Sequence, residues 1–199
     1  MSYRRILSTL LLFTLLALPL IAQQTTLQLE DGAALRLDGD SNVRSWGADA
    51  ETVTGTLTLR NPGDLLLENL TPESFGSLEL AVAVESLDSG TRGLNKNMYD
   101  YLESKQHPAI TFSLREVTGV DIANGTATVH AKGVVNAAGQ DHEILMDVLA
   151  EVVSPTSIRF TGEQEMLMSD FGIDPPTAVF GTVRSADEIV IRFDVTFSN

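Results

Sequence analysis

The side chains that could do chemistry in this chain are few and scattered. There are three histidines, His107, His130 and His142, and no cysteine. Thiol nucleophiles, thiolate metal sites and disulfides are therefore excluded. The histidines show no His-Glu-x-x-His, His-x-His or Glu-x-x-His spacing, so the sequence writes no local zinc set. His107 precedes Pro108. His130 lies in a strand-like run on the face of Thr128 and Lys132, which reads as solvent-facing, and His142 lies in the polar segment GQDHE. Asp141-His142-Glu143 looks like an acid–base cluster, but neighbours on an extended chain point to opposite sides and cannot meet at one reacting atom. A solvated hairpin tip is the reading for that segment. Glu163 and Glu165 alternate on one face and read as the wet side of a sheet. No G-x-S-x-G, phosphate-binding loop or dinucleotide glycine motif is present, and Asp170-Phe171-Gly172 lacks every companion of the kinase triplet it matches. The expectation is no catalytic residue, no metal and no cofactor.

The elements that position these residues are mostly strands. In SLELAVAVESL, Leu78, Leu80, Val82 and Val84 share a face. In ITFSLREV, Ile110, Phe112 and Leu114 do so, and in EIVIRFDVTFSN it is Ile189, Ile191, Phe193, Val195 and Phe197. A period of two marks strands with one buried face. EILMDVLAEVV, TLQLE, AALRLDG, TVTGTLTLR, TATVHAKGVV and SIRFTGEQEML are further candidates. Turns fall at Glu30-Asp31-Gly32, Asn61-Pro62-Gly63-Asp64, Asn124-Gly125 and Ala138-Gly139-Gln140-Asp141, and Asn-Gly predicts a hairpin over residues 114–135. One helical interruption falls near Leu94–Lys105, where Met98 and Leu102 share a face. Pro108 then moves His107 out of helical geometry and starts a strand. Many short strands joined by tight turns predict an all-β antiparallel barrel of about eight strands with one or two short helices.

Composition bounds the setting. Arg4 and Arg5 precede an apolar run from Ile6 to a small residue at Ala22, the pattern of a secretory signal peptide over residues 1–22. Its loss leaves residues 23–199 as one domain and moves the net charge from −14 to −16, because the leader carries two arginines. Such a surface repels phosphate backbones and anionic headgroups, so no nucleic-acid partner and no stable membrane insertion after cleavage are expected. The expected location is periplasmic or secreted, as a monomer or homodimer.

What remains is apolar capacity. Long inward side chains recur at Phe112, Phe160, Phe171, Phe180, Phe193 and Phe197, with Met98, Met146, Met166 and Met168. Methionine adapts to irregular or flexible partners. Small residues at Gly55, Ala127, Ala131, Gly133, Ala150 and Gly162 are candidates for leaving room. A lipid tail burying about 500 Å² of apolar surface gains roughly 12 kcal/mol gross at about 25 cal/mol per Å². Association costs of about 4–15 kcal/mol reduce this to moderate or tight affinity.

The order of segments resembles the YceI-like family of secreted, polyisoprenoid-binding, lipocalin-like bacterial proteins. The matching segments are SNVRSWG, LAVAVESLDSGT, NKNMYDYLESKQHPAITF and MSDFGIDPP followed by FGTVRSADEIVIRFDVTF, and the resemblance covers nearly the whole mature chain, from about Thr25 to Phe197. The resemblance implies a barrel holding an isoprenoid lipid or quinone-like tail. It places Met98, Tyr99, Leu102, Ile110, Phe112 and Phe171 near that ligand, with Trp46, Phe160, Phe180 and Phe193 as further wall positions. Two departures stand out: the helix exit, commonly aromatic-Pro, is His107-Pro108, and GVVNAAGQDHEI lacks the threonine-rich turn with a basic residue. The expected function is non-enzymatic binding, transport or sequestration of an amphiphilic isoprenoid lipid. The alternatives are a secreted enzyme on a small apolar substrate, using His107, His130 or a carboxylate, and an envelope stress or adhesion module with a packed barrel.

Overall fold

Along Thr126–Ala137 every second side chain is buried without a break, which is what a strand does when one face meets a core and the other meets water. The same alternation, with bulges, builds most of the molecule. A computed structural model describes residues 24–60, 65–178 and 180–199. The expected leader over residues 1–22 and the turn Asn61–Asp64 lie outside the described residues.

Twelve strands are present among those residues: β1 (Thr25–Leu29), β2 (Ala34–Ser41), β3 (Trp46–Ala50), β4 (Val53–Leu59), β5 (Phe75–Ala83), β6 (Leu87–Asp88), β7 (Ala109–Ala123), β8 (Thr126–Ala137), β9 (Gln140–Ser154), β10 (Ser157–Leu167), β11 (Thr177–Ala178) and β12 (Val183–Ser198). One α-helix, α1 (Arg92–Tyr101), interrupts them. The ring runs β1-β4-β5-β7-β8-β9-β10-β12 and closes because β12 also pairs with β1, at Leu29↔Phe197. This is a closed antiparallel barrel of eight strands.

Above that ring the wall continues differently. β12 pairs with β1 at its C-terminal end and with β2 from Asp194 back to Ser185, so β1 and β2 are two halves of one bent stave. The Glu30-Asp31-Gly32 segment forms the bend, with Gly32 at φ 87°. β2 pairs with β3, and β3 with β6, which ends that branch. Helix α1 follows β6 across three linking residues and leads into β7, so it covers the gap between these edges. The segment WGADA was not expected to be a strand. It pairs with β2 because Gly39 lets the Trp46 indole lie flat on the backbone, where a Cβ would meet the ring at 2.3 Å.

The hairpins follow their turn chemistry. The expected hairpin at 114–135 is β7–β8, longer than predicted at both ends, with Asn124 (φ 53°) and Gly125 (φ 84°) at its tip. Two left-handed residues form the turn whose twist suits a hairpin. Ala138 and Gly139 repeat it between β8 and β9 at the opposite end of the barrel.

The two ends are built differently. At the base, Leu27, Leu57, Leu59, Phe75, Ile158 and Phe197 form one buried cluster, with Phe160 edge-to-face on Phe197 at 6.1 Å. The segment from Leu65 to Ser74 seals it: Leu65 and Leu70 are buried, and the Thr71 amide donates to Ser74 Oγ at 3.1 Å. At the top, two smaller clusters sit apart, one around Phe171 and Ile189 and one under α1 around Leu87 and Met98.

Candidate functional site

Between the packed base and the two upper clusters lies a cavity of about 540 Å³. That falls within the roughly 300–1,000 Å³ typical of small-molecule sites. On β8 its lining runs from Val129 to Ala137, eight residue steps. At about 3.3 Å per residue and a tilt of about 40°, this is a depth of about 20 Å. Its floor is Leu57, Phe75, Phe160 and Val195, and its wall carries Leu80, Phe112, Met146 and Ile191. Its upper rim is Trp46, Met98, Leu102, Phe171 and Ile173.

Eight of the ten residues named from the sequence line this space: Trp46, Met98, Leu102, Ile110, Phe112, Phe160, Phe171 and Phe193. Each arrives by a local rule. Phe112 and Phe193 sit on inward positions of β7 and β12. They lie flat against Gly133 and Gly162, where a Cβ would meet the rings at 2.2 and 2.8 Å. These glycines therefore make room for aromatic walls and not directly for a ligand. Ala127 and Ala150, also expected to leave room, are packed into the base. Met98 and Leu102, four apart on α1 and its C-terminal cap, point down into the cavity.

Tyr99 and Phe180 are corrections. Tyr99 turns away from the cavity, and its hydroxyl donates to the Leu87 carbonyl at 2.9 Å. Burial, then the Asp88, Glu85 and Glu51 carboxylates, push its phenol up. Met98, Tyr101 and Leu102 are the nearby helical positions that line the cavity, and the Tyr99 hydrogen bond makes the tyrosine a strut between α1 and β6. Phe180 is fully exposed in the turn before β12, with φ 55°. Inward periodicity begins only at Val183, so the sequence rule was applied three residues too early.

Several wall positions were not singled out as site residues. Leu35 and Leu37 come from the weakly patterned AALRLDG run and Ile144 from the candidate strand EILMDVLAEVV, Met146 was read as a long inward side chain, and Ile189 and Ile191 only as an inward strand face. Gln164 had a usable signal: if Glu163 and Glu165 face water, the residue between them must face in. Its amide donates to the Glu165 carbonyl at 2.8 Å. Among the described residues, Arg44, in the β2–β3 turn, is the only lysine or arginine lining the cavity, and no carboxylate lines it, in a chain with 27 acidic residues.

The three histidines stand outside this cavity. His130 faces outward, as expected, with Nδ1 2.6 Å from Asp147 and Nε2 3.0 Å from Asp121. These hydrogen bonds, Asp121 first, raise its pKa above the ordinary value. His142 is a correction: it is no solvated tip but lies on the inward face of β9 at the rim. Its ring is edge-on to Phe171 at 5.6 Å, and its Nε2 is 3.5 Å from Asp170. His107 rests at the helix exit against Gly139, with Nε2 3.8 Å from Glu103. Among the described residues, no group of three or more histidine, aspartate or glutamate side chains is arranged to hold a metal ion.

Solved structures share this barrel. A polyisoprenoid binding domain from Saccharophagus degradans superposes with a TM-score of 0.64 at 14% identity, covering 86% of this chain and 97% of that one. BcnA of Burkholderia cenocepacia gives 0.59 at 17% identity, covering 82% and 95%. The Campylobacter jejuni YceI protein gives 0.58 at 16% identity, covering 76% and 84%. At these identities the likeness is one of fold. No curated protein matches the chain. The YceI-like domain profile matches residues 39–197, most of the chain, and the protein belongs to the YceI-like family.

Proposed function

We propose that this protein binds an amphiphilic isoprenoid lipid, with a polyprenyl or quinone-like tail, and transports or sequesters it in the periplasm or outside the cell without chemical turnover. The observation that carries the reading is the cavity: about 540 Å³, walled mainly by aliphatic, aromatic and methionine side chains, with no carboxylate among its described lining residues in a strongly acidic chain. Burying a hydrocarbon tail there needs no charged anchor, because the gain scales with apolar area. Family membership and the fold shared with a polyisoprenoid binding domain support the same reading. The packed-barrel alternative requires a filled interior, which a void of this size does not favour. The enzymatic alternative has no specific observation behind it, since none of the three histidines lines the cavity.

The test is a titration with a fluorescent polyprenyl probe. The expected result is saturable binding at one site per chain, displaced by unlabelled polyprenol. Absence of saturable binding to delipidated, folded protein would overturn the proposal.

A further inference from the structure

A second, smaller pocket opens beside the rim, in the seam between the helix exit and the β8–β9 hairpin. Its volume is about 240 Å³. Tyr101, Phe171 and Ile173 line both this pocket and the main cavity, so the two share a wall. The character changes across that wall. On the far side stand Tyr101, Glu103, His107 and Gln140, beside the backbone of two turns, and among the described residues no lysine or arginine. Neither the Tyr101 hydroxyl nor the Gln140 amide has a side-chain hydrogen bond among the described residues. His107 has only its distant Glu103 neighbour at 3.8 Å.

The backbone around this pocket is also unusual. Glu103 (φ 52°) and Ala138 (φ 48°) hold left-handed conformations that side-chain-bearing residues disfavour, with Gly139 (φ 75°) and Gly172 (φ 69°) alongside. Gly139 is required for a second reason. A Cβ there would lie 2.5 Å from the His107 ring, so the hairpin must be bare for the imidazole to lie across it. The helix exit and the β8–β9 turn thus bring hydrogen-bonding side chains to the edge of an apolar cavity.

We infer that this side pocket seats the polar end of the ligand whose tail fills the cavity, and that it selects an uncharged, acceptor-bearing headgroup, a hydroxyl or ring carbonyl, over a phosphate. The inference rests on the carrier reading. Tyr101, His107 and Gln140 supply donors for such a group, while the Glu103 carboxylate repels an anion. Arg44 belongs to the β2–β3 turn, which the strand order separates from the β8–β9 hairpin by β10 and β12. It therefore serves a different part of the rim.

The test uses full-length mature protein and prenyl probes of one chain length with four ends: hydrocarbon, alcohol, benzoquinone and phosphate. The alcohol and quinone should bind about three- to tenfold tighter than the hydrocarbon, the range of one net hydrogen bond. His107→Phe and Gln140→Leu should each reduce that preference and leave hydrocarbon affinity unchanged. The exposed Gln140 keeps the test open if His107→Phe disturbs folding. Glu103→Gln should tighten only the phosphate. Equal affinities for all four ends, or a phosphate that binds best and loses its advantage in Arg44→Ala, would overturn this inference alone. Failure of every probe to bind would overturn the carrier reading and take the inference with it.

Discussion

Ala127 and Ala131 lie four residues apart on one strand, on the same face, in opposite worlds. Ala127 is 0% exposed within the base cluster, while Ala131, at 7% exposed, lines the cavity. The strands are continuous between them, so neither register nor propensity makes the difference. It comes from what is laid across each end. At the base, Leu65, Leu70 and Phe75 are drawn across the barrel and fill it. At the mouth a single helix rests on the rim and holds it open, with Leu94, Met98 and Leu102 turned to the cavity. A barrel of eight strands is near the size at which side chains either just fill the interior or leave space for one small ligand. This molecule does the first below Phe160 and the second above it.

That contrast is breakable by mutation. The largest effect belongs to the base: Phe197→Ala removes a fully buried ring and should cost about 3–5 kcal/mol, read by chemical denaturation. Cavity affinity should change little in the fraction that stays folded. Bulk should separate the two ends more sharply. Ala127→Trp overfills a close-packed site and should cost at least the roughly 1–3 kcal/mol typical of overpacking. Ala131→Trp should cost clearly less and abolish probe binding, because the indole has the cavity to enter. Equal destabilisation by the two tryptophans would refute the division into packed and hollow halves.

Gly133→Ala should fall between these. Its Cβ would meet the Phe112 ring at 2.2 Å, so the ring must swing inward. We expect a modest stability loss, about 1 kcal/mol by comparison with overpacked cores, and weaker binding of long tails than of short ones.

Much of this was legible in the sequence because period-two patterning and turn residues act locally. The β7–β8 hairpin is written in Asn124-Gly125, and the inward faces of β5, β7, β9 and β12 in alternate apolar positions. What was not legible depends on contacts distant in sequence. Trp46 and the WGADA strand need Gly39 on a neighbouring strand. Tyr99 and Met98 are adjacent, and only the direction of the helix decides which one faces the cavity. His142 read as a polar tip because its neighbours are charged, yet β9 begins at Gln140 and turns its ring onto Phe171. The hollow itself was beyond the sequence. Its inward residues are ordinary core residues, and whether they meet depends on how the staves bend apart.

The smallest predicted effect lies on the outer face and should leave the cavity untouched. His130, held by Asp121 and Asp147, has a raised pKa in the folded protein. Its stabilising contribution is therefore fully present below the unfolded value of about 6.5 and is lost as pH rises through the folded value. The stability gap between the wild type and His130→Gln, measured as Tm across pH, should be widest in mildly acidic buffer and close toward alkaline pH. Probe affinity should be the same in both proteins. A gap that widens with rising pH would contradict the assignment.

The central claim is that the space above Phe160 holds a prenyl lipid in the cell. The direct measurement is native mass spectrometry of protein purified without detergent from its producing cells, followed by organic extraction and identification of what is released. The account predicts a bound species of additional mass that yields a polyprenyl or prenylated-quinone lipid on extraction and is missing from Ala131→Trp. Protein that is ligand-free in both forms, or that releases the same lipid from Ala131→Trp, would contradict it.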